Sequence, residues 1–169
     1  MRSIWRLALV STLLLGCVGC DQVSKEVVRT HLSLGESHSF FGDTFRITHV
    51  TNTGAFLSIG ADLPEQARIV VFQGALSALV LVLLWAAAIR TQTGQWQVVG
   101  FTLLAASGIG NLIDRFLNDG RVTDFLNIGI GSVRTGIFNV ADVVGVVGCL
   151  VLLLANRGAT RRSAQPSGS

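Results

Sequence analysis

Four uncharged, mostly apolar runs alternate with polar segments along the chain, and each predicts a helix in lipid. The first is Leu7–Cys20, fourteen residues. A span needs about 20 residues, and Ile4 and Trp5 extend the run to that length if Arg6 snorkels toward the headgroups. Helical spacing continues beyond it, because Val23, Val27 and Val28 fall on one side. A helix is therefore expected over about 4–32. Ile69–Ile89 is an uncharged run of 21 residues bracketed by Arg68 and Arg90, and predicts the second span. Trp96–Ile113 is the third, its later half rich in the small residues that let helices approach closely. The fourth is expected over 137–155, where Asp142 precedes thirteen uncharged residues.

The polar segments differ from one another. Between the first two runs, S-H-S-F-F and T-F-R-I-T-H-V flank Gly42-Asp43, which predicts a hairpin and a small sheet within 35–60, lying on the membrane face. Residues 115–135, with Gly120, Gly129 and Gly131, read as an exposed connection. The tail, 156–169, is polar and is expected to be a disordered cytoplasmic extension. The fold expected is mainly α and integral to a membrane: a four-transmembrane-helix bundle with a small extracytoplasmic β-sheet, one domain over 1–155.

Composition sharpens this picture. Half of the 169 residues are hydrophobic and 14% are charged, where a soluble domain carries about a quarter. Mean hydropathy is +0.58. All ten acidic residues lie between Asp21 and Asp142, whereas Arg2, Arg6, Arg157, Arg161 and Arg162 stand at the ends without an acid. Basic ends place both termini in the cytoplasm. No basic face interleaved with aromatics is present for nucleic acid. The cysteines, Cys17, Cys20 and Cys149, all lie in apolar runs and read as small buried hydrophobes. Leu14-Leu15-Gly16-Cys17 resembles a lipoprotein processing box, but three further spans argue against a mature lipoprotein.

The topology collects the unusual polar residues at one level: Asp21, Lys25, Asn52, Asn111, Asp114, Arg115, Asp124, Asn139 and Asp142. Ionisable groups at a membrane edge are costly to keep and are functional candidates. Three histidines without an H-E-x-x-H pattern give no metal-hydrolase signature. There is no G-x-S-x-G element for a serine nucleophile. A Ser–Lys dyad would need Lys25, the only lysine, yet the adjacent Ser24 points elsewhere on a helix. A carboxylate pair remains, sharing a proton in low dielectric and activating water without a metal or cofactor. Asp114 has Arg115 beside it and Asp21 has Lys25 one turn on, whereas Asp124 and Asp142 lack an adjacent cation and are favoured.

Taken together, five elements resemble the lipoprotein signal peptidase (signal peptidase II) family. They are D-Q-x-x-K at Asp21, Gln22 and Lys25; N-x-G-A-F at Asn52, Gly54, Ala55 and Phe56; G-N-x-x-D-R at Gly110, Asn111, Asp114 and Arg115; V-x-D-F at Val122, Asp124 and Phe125; and F-N-x-A-D at Phe138, Asn139, Ala141 and Asp142. They occur in family order over 21–142. Ser107-Gly108-Ile109 departs from the family's usual G-G-A, and Thr123 from its usual valine, but neither replaces a carboxylate or an amide. The resemblance implies an aspartyl endopeptidase of the bacterial inner membrane, without cofactor or metal, its active site near the extracytoplasmic face. It would cut diacylglyceryl-modified prolipoproteins before the lipidated cysteine. Its partners would be those substrates and membrane lipids, with no nucleic acid, and the chain would act as a monomer. Carried over residue by residue, Asp124 and Asp142 would be the catalytic dyad. Asn52, Gly54, Asn111, Asp114, Arg115 and Asn139 would surround it, and Asp21 and Lys25 would support it from the first helix. The competing expectation is a non-enzymatic membrane scaffold or ion-binding transporter subunit, which would use Asp142 as a ligand but gives no reason for all five elements.

Overall fold

The computed structural model describes residues 2–53, 64–90 and 93–163. In chain order the elements are α1 (Arg2–His31), β1 (Ser37–Phe40), β2 (Phe45–Asn52), α2 (Glu65–Ala88), α3 (Gln95–Leu117), β3 (Val122–Ile130), β4 (Val133–Arg134) and α4 (Val140–Ser163). Three stretches, Ser3–His31, Gln95–Leu117 and Val140–Arg157, are long and apolar enough to cross a membrane, and Gln73–Ala88 is a shorter apolar stretch within α2. The four-helix architecture with a small antiparallel sheet is thus the one expected.

Helix α3 is the hub. α1, α2 and α4 each pack chiefly on it, and its inward positions are small: Gly100, Ala105, Ala106, Gly108 and Gly110 are buried. Where α3 crosses α4, a Cβ on Gly100 would stand 3.2 Å from the Gly148 carbonyl oxygen and 2.6 Å from Leu152 Cγ. Backbones meet there as small-residue interfaces in membranes allow.

Helix ends differ from the sequence expectation. α3 runs to Leu117 rather than 113, so Asn111 and Asp114 lie within the helix. α4 begins at Val140 and continues to Ser163, past the 155 at which the apolar run ends. The tail expected to be disordered is therefore helical as far as the described residues go. Arg6 does not snorkel outward. Its Nε and Nη2 donate to the carbonyls of Ala87 and Ala86 at 2.6 and 2.9 Å. Those carbonyls belong to the last turn of α2, which lacks helical donors and carries the negative end of the helix dipole.

The sheet has the order β1-β2-β3-β4, antiparallel throughout. β1 and β2 form the hairpin around Gly42-Asp43, with Phe41, Gly42 and Asp43 all at positive φ. Its other half comes from 122–134, the segment expected to be an exposed connection. The reason is physical. Val122, Thr123, Asp124 and Phe125 are all buried, so this strand is covered on both faces and shows no alternation. Its buried polar residues broke the apolar run that would have announced it.

Candidate active site

The loop after β4 folds back on β3. Phe138 pairs with Leu126, its N–H donating to the Leu126 carbonyl at 2.9 Å and its carbonyl accepting from Leu126 at 2.7 Å. This one bridge lays the start of α4 beside the start of β3. Asp142 on α4 thereby comes to the same place as Asp124 on β3, although the two are far apart in the sequence.

Asn139 joins them. It stands immediately before α4, and its Oδ1 accepts the Asp142 N–H at 3.0 Å while the Asn139 N–H donates to Asp142 Oδ2 at 3.1 Å. This is the reciprocal pairing of a helix-capping box, with Asp in the acid position. The same side chain donates through Nδ2 to Asp124 Oδ1 at 2.6 Å. A fourth helix over 137–155 would place Asn139 inside it; α4 begins at Val140, and Asn139 is the cap instead. The remaining carboxylate oxygens also have amide donors. Asn52 Nδ2 lies 3.0 Å from Asp124 Oδ2, and Asn111 Nδ2 lies 3.0 Å from Asp142 Oδ1. Burial raises the Asp124 carboxyl above the ordinary carboxylate range; the Asn52 and Asn139 amides oppose this, the charge of Asp142 adds to it and that of Lys25 opposes it.

Beneath the pair lies a buried ionic layer. Lys25 Nζ is 2.8 Å from Asp21 Oδ2 and 3.3 Å from Asp114 Oδ2, and all three side chains are sealed from solvent. Lys25 also donates to Asn111 Oδ1 at 3.1 Å, which connects this layer to Asp142 through one amide. Asp21 Oδ1 accepts the Ala141 N–H at 2.8 Å, in the first turn of α4. Asp114 Oδ2 accepts the Thr123 N–H at 2.8 Å, next to Asp124. Each acid thus pins the backbone neighbour of one dyad candidate. Gly110 makes room: a Cβ there would stand 2.6 Å from Asp21 Oδ2. Arg115 is half-buried, donates to the Asn111 carbonyl at 3.3 Å, and interacts electrostatically with Asp124 and Asp142.

Eight of the ten expected positions, Asp21, Lys25, Asn52, Asn111, Asp114, Asp124, Asn139 and Asp142, are joined in this network. Arg115 borders it, and Gly54 lies outside the described residues. Residues for which the sequence predicts no role in the site also take part. Gln22 Nε2 bridges Asp21 Oδ2 and the Gly110 carbonyl at 3.0 and 2.9 Å. Arg29 reaches Asp114 Oδ1 at 3.4 Å. Its position one helical turn beyond Lys25 was the available signal. Ser24 donates to the Asp21 carbonyl at 2.8 Å, turned away from Lys25, so the two are not arranged as a Ser–Lys dyad. Among the described residues no cluster of three or more His, Cys, Asp or Glu side chains has the geometry of a metal site.

Residues 13–156 match the family model described as signal peptidase (SPase) II. The chain belongs to the signal peptidase II family. The lipoprotein signal peptidase of Desulforapulum autotrophicum is 34% identical over 152 residues, covering 90% of this chain and 91% of its own length. That of Streptococcus pneumoniae is 33% identical over 150 residues, covering 88% and 92%. A bacterial membrane enzyme solved by the in meso method at 2.3 Å resolution superposes with a TM-score of 0.80 at 26% identity, covering 96% of this chain and 94% of that one. Signal peptidase II is a hydrolase, and this member is a bacterial integral-membrane peptidase that cleaves lipoprotein signal peptides. Nothing in these likenesses favours a scaffold or transporter subunit.

Proposed function

We propose that this signal peptidase II is an aspartyl endopeptidase in which Asp124 and Asp142 form the catalytic dyad. The observation that carries the reading is the Asn139 side chain, which engages both candidate residues and keeps them in one site. One carboxylate takes a proton from water as the oxygen attacks the scissile carbonyl. The other, protonated, donates to the carbonyl oxygen. On collapse of the tetrahedral intermediate the amine leaves with a proton from the dyad. The raised Asp124 carboxyl suits such proton sharing. Asn52, Asn111, Asp114, Arg115 and Asn139 hold the pair and orient substrate; Asp21 and Lys25 fix the helix ends that carry it. No cofactor takes part in these steps.

The substrate is a diacylglyceryl-modified prolipoprotein, cut just before the lipidated cysteine. The enzyme sits as a monomer in the inner membrane, both termini cytoplasmic, with the dyad near the extracytoplasmic face. Basic residues at both ends support that orientation. Trp5, Trp85 and Trp96, exposed at the ends of α1, α2 and α3, mark one membrane interface as an aromatic belt does, without deciding its side. The two sheet hairpins carry exposed Phe41, Ile130 and Val133, which supports a sheet resting on lipid.

The test is cleavage of a purified, lipid-modified substrate by wild-type, Asp124→Asn and Asp142→Asn enzymes in the presence of a chelator. Wild type is expected to cut and neither variant to do so. Substantial turnover by either variant would remove the dyad mechanism.

A further inference from the structure

The register of β2 against β3 slips near the site. Ile47 pairs with Leu126, yet Val50 pairs with Asp124, so Thr48 and His49 together oppose Phe125 alone. This is a one-residue β-bulge. Its consequence follows from strand parity. In unbroken register Asp124 would stand opposite His49, and Asn52 would project from the other face of the sheet. With the extra residue, Asp124 stands opposite Val50, and Asn52 becomes its diagonal neighbour on the same face. The 3.0 Å bond from Asn52 Nδ2 to Asp124 Oδ2 depends on that parity.

A bulge needs something to hold it, and here it is His49. The side chain is buried. Its Nδ1 lies 2.9 Å from the carbonyl oxygen of Leu32, just past the end of α1. A carbonyl only accepts, so Nδ1 carries the proton. The His49 backbone is held by the same corner: its N–H donates to the Glu36 carbonyl at 3.0 Å, and its carbonyl accepts the Gly35 N–H at 2.8 Å. Three bonds therefore tie the bulge to the connection between α1 and β1. α1 is the helix that also carries Asp21 and Lys25, so both supports of the site share one origin.

We propose that His49 is a positioning residue: its ring locks the Thr48–His49 bulge to the end of α1, and the bulge turns Asn52 onto the face of the sheet where Asp124 stands. The inference rests on the reading of Asp124 as a dyad member. His49 itself touches no reacting atom.

The experiment measures kcat, KM and the pH profile for His49→Leu, His49→Asn, Asn52→Ala and the double variant His49→Leu/Asn52→Ala. The Asn52 amide opposes the rise of the Asp124 carboxyl. The other groups acting on that carboxyl are Asp142 on α4, Lys25 on α1, Arg115 on α3 and the neutral Asn139. These stay in place, so loss of the Asn52 bond moves the limb that Asp124 governs to higher pH. We expect His49→Leu and Asn52→Ala each to lower kcat about ten-fold with KM changed less than about two-fold, and both to shift that limb upward. The double variant should be no worse than the poorer single, because the two residues act through one bond. His49→Asn should recover kcat and profile, since its Nδ2 occupies the place of Nδ1 along the side chain. If His49→Leu does not accumulate, Gly35→Ala serves instead. Gly35 has φ +84° with open space around it, so alanine strains only the corner that holds the bulge. A smaller loss, again absent in the Asn52→Ala background, is expected. Full kcat in His49→Leu, an unmoved pH profile, or losses that multiply in the double variant would overturn the inference. Asp124→Asn is the control: if it is inactive, such results sink only the role of His49, and if it is active, the dyad reading itself falls.

Discussion

The Asn139 side chain donates to the Asp124 carboxyl and, through its oxygen, caps α4 at the Asp142 N–H, so its loss has two separable effects. Asn139→Ala should cost about 1 kcal/mol of stability as a lost cap, and should also lower kcat by roughly 10²-fold as the pair loses alignment. Thermal unfolding in detergent, set beside turnover, separates the two. Lys25 presents the opposite balance. It is buried between Asp21 and Asp114, so Lys25→Met leaves Asp21 buried without its cation and Asp114 with Arg29 alone, at 3.4 Å. A stability loss of about 3–5 kcal/mol is expected, and adding Asp21→Asn should recover part of it. A Lys25→Met enzyme as stable as wild type would mean the layer is not a buried ion pair. Asp124 adds a pH dependence whose sign can be worked out. Its carboxyl is raised in the folded state, so the stability it contributes is full below the ordinary carboxylate pKa, about 3.9, and is lost as pH rises through the raised value. The Tm of Asp124→Asn should therefore gain on that of wild type as pH increases from about 4 to 8.

At the scale of elements, α1 is one unbroken helix from Arg2 to His31. Cys17 and Cys20 lie in its middle with no extended backbone around them. The lipobox-like Leu14–Cys17 is thus locked in a helix, and a protease needs an extended strand to cut. Mass spectrometry of the mature protein should find the segment intact, and Cys17→Ala/Cys20→Ala should retain activity; a chain starting at a lipidated Cys17 would contradict this. The four helices were legible in the sequence because a long apolar run without charge finds its natural solvent in a bilayer. Their ends were not. Polar residues such as Asn111 and Asp114 look like a terminus in sequence, but partners on α1 and β3 satisfy them inside the helix. The carboxylates and amides of the site were legible for a related reason, since groups so costly beside lipid stand out. His49 was not, because its importance comes from a register slip that depends on where β3 pairs. β3 was hidden in turn by the polarity of Asp124 and Asn127, the former being the candidate for chemistry.

For the whole molecule, one labelling series tests the orientation. With both termini cytoplasmic, cysteines introduced at Ser39 and Ser132 should react with an impermeant thiol reagent added outside the inner membrane, and one at Ser163 should not. Reaction at Ser163 alone would invert the topology. The central place of α3 has a further consequence for how the protein is born. Among the described residues α1 and α2 meet at few points besides the Arg6 cap, while each packs broadly on α3. The first two helices therefore have few partners within the protein until the third is made. β1 and β2 wait likewise, since β2 finds its other neighbour only when 122–130 emerges. The bulge, the meeting of Asp124 with Asp142 and the cap on α4 all need residues from 122 onward. A chain cut short before the cap of α4 lacks Asn139 and Asp142 and is expected to be inert.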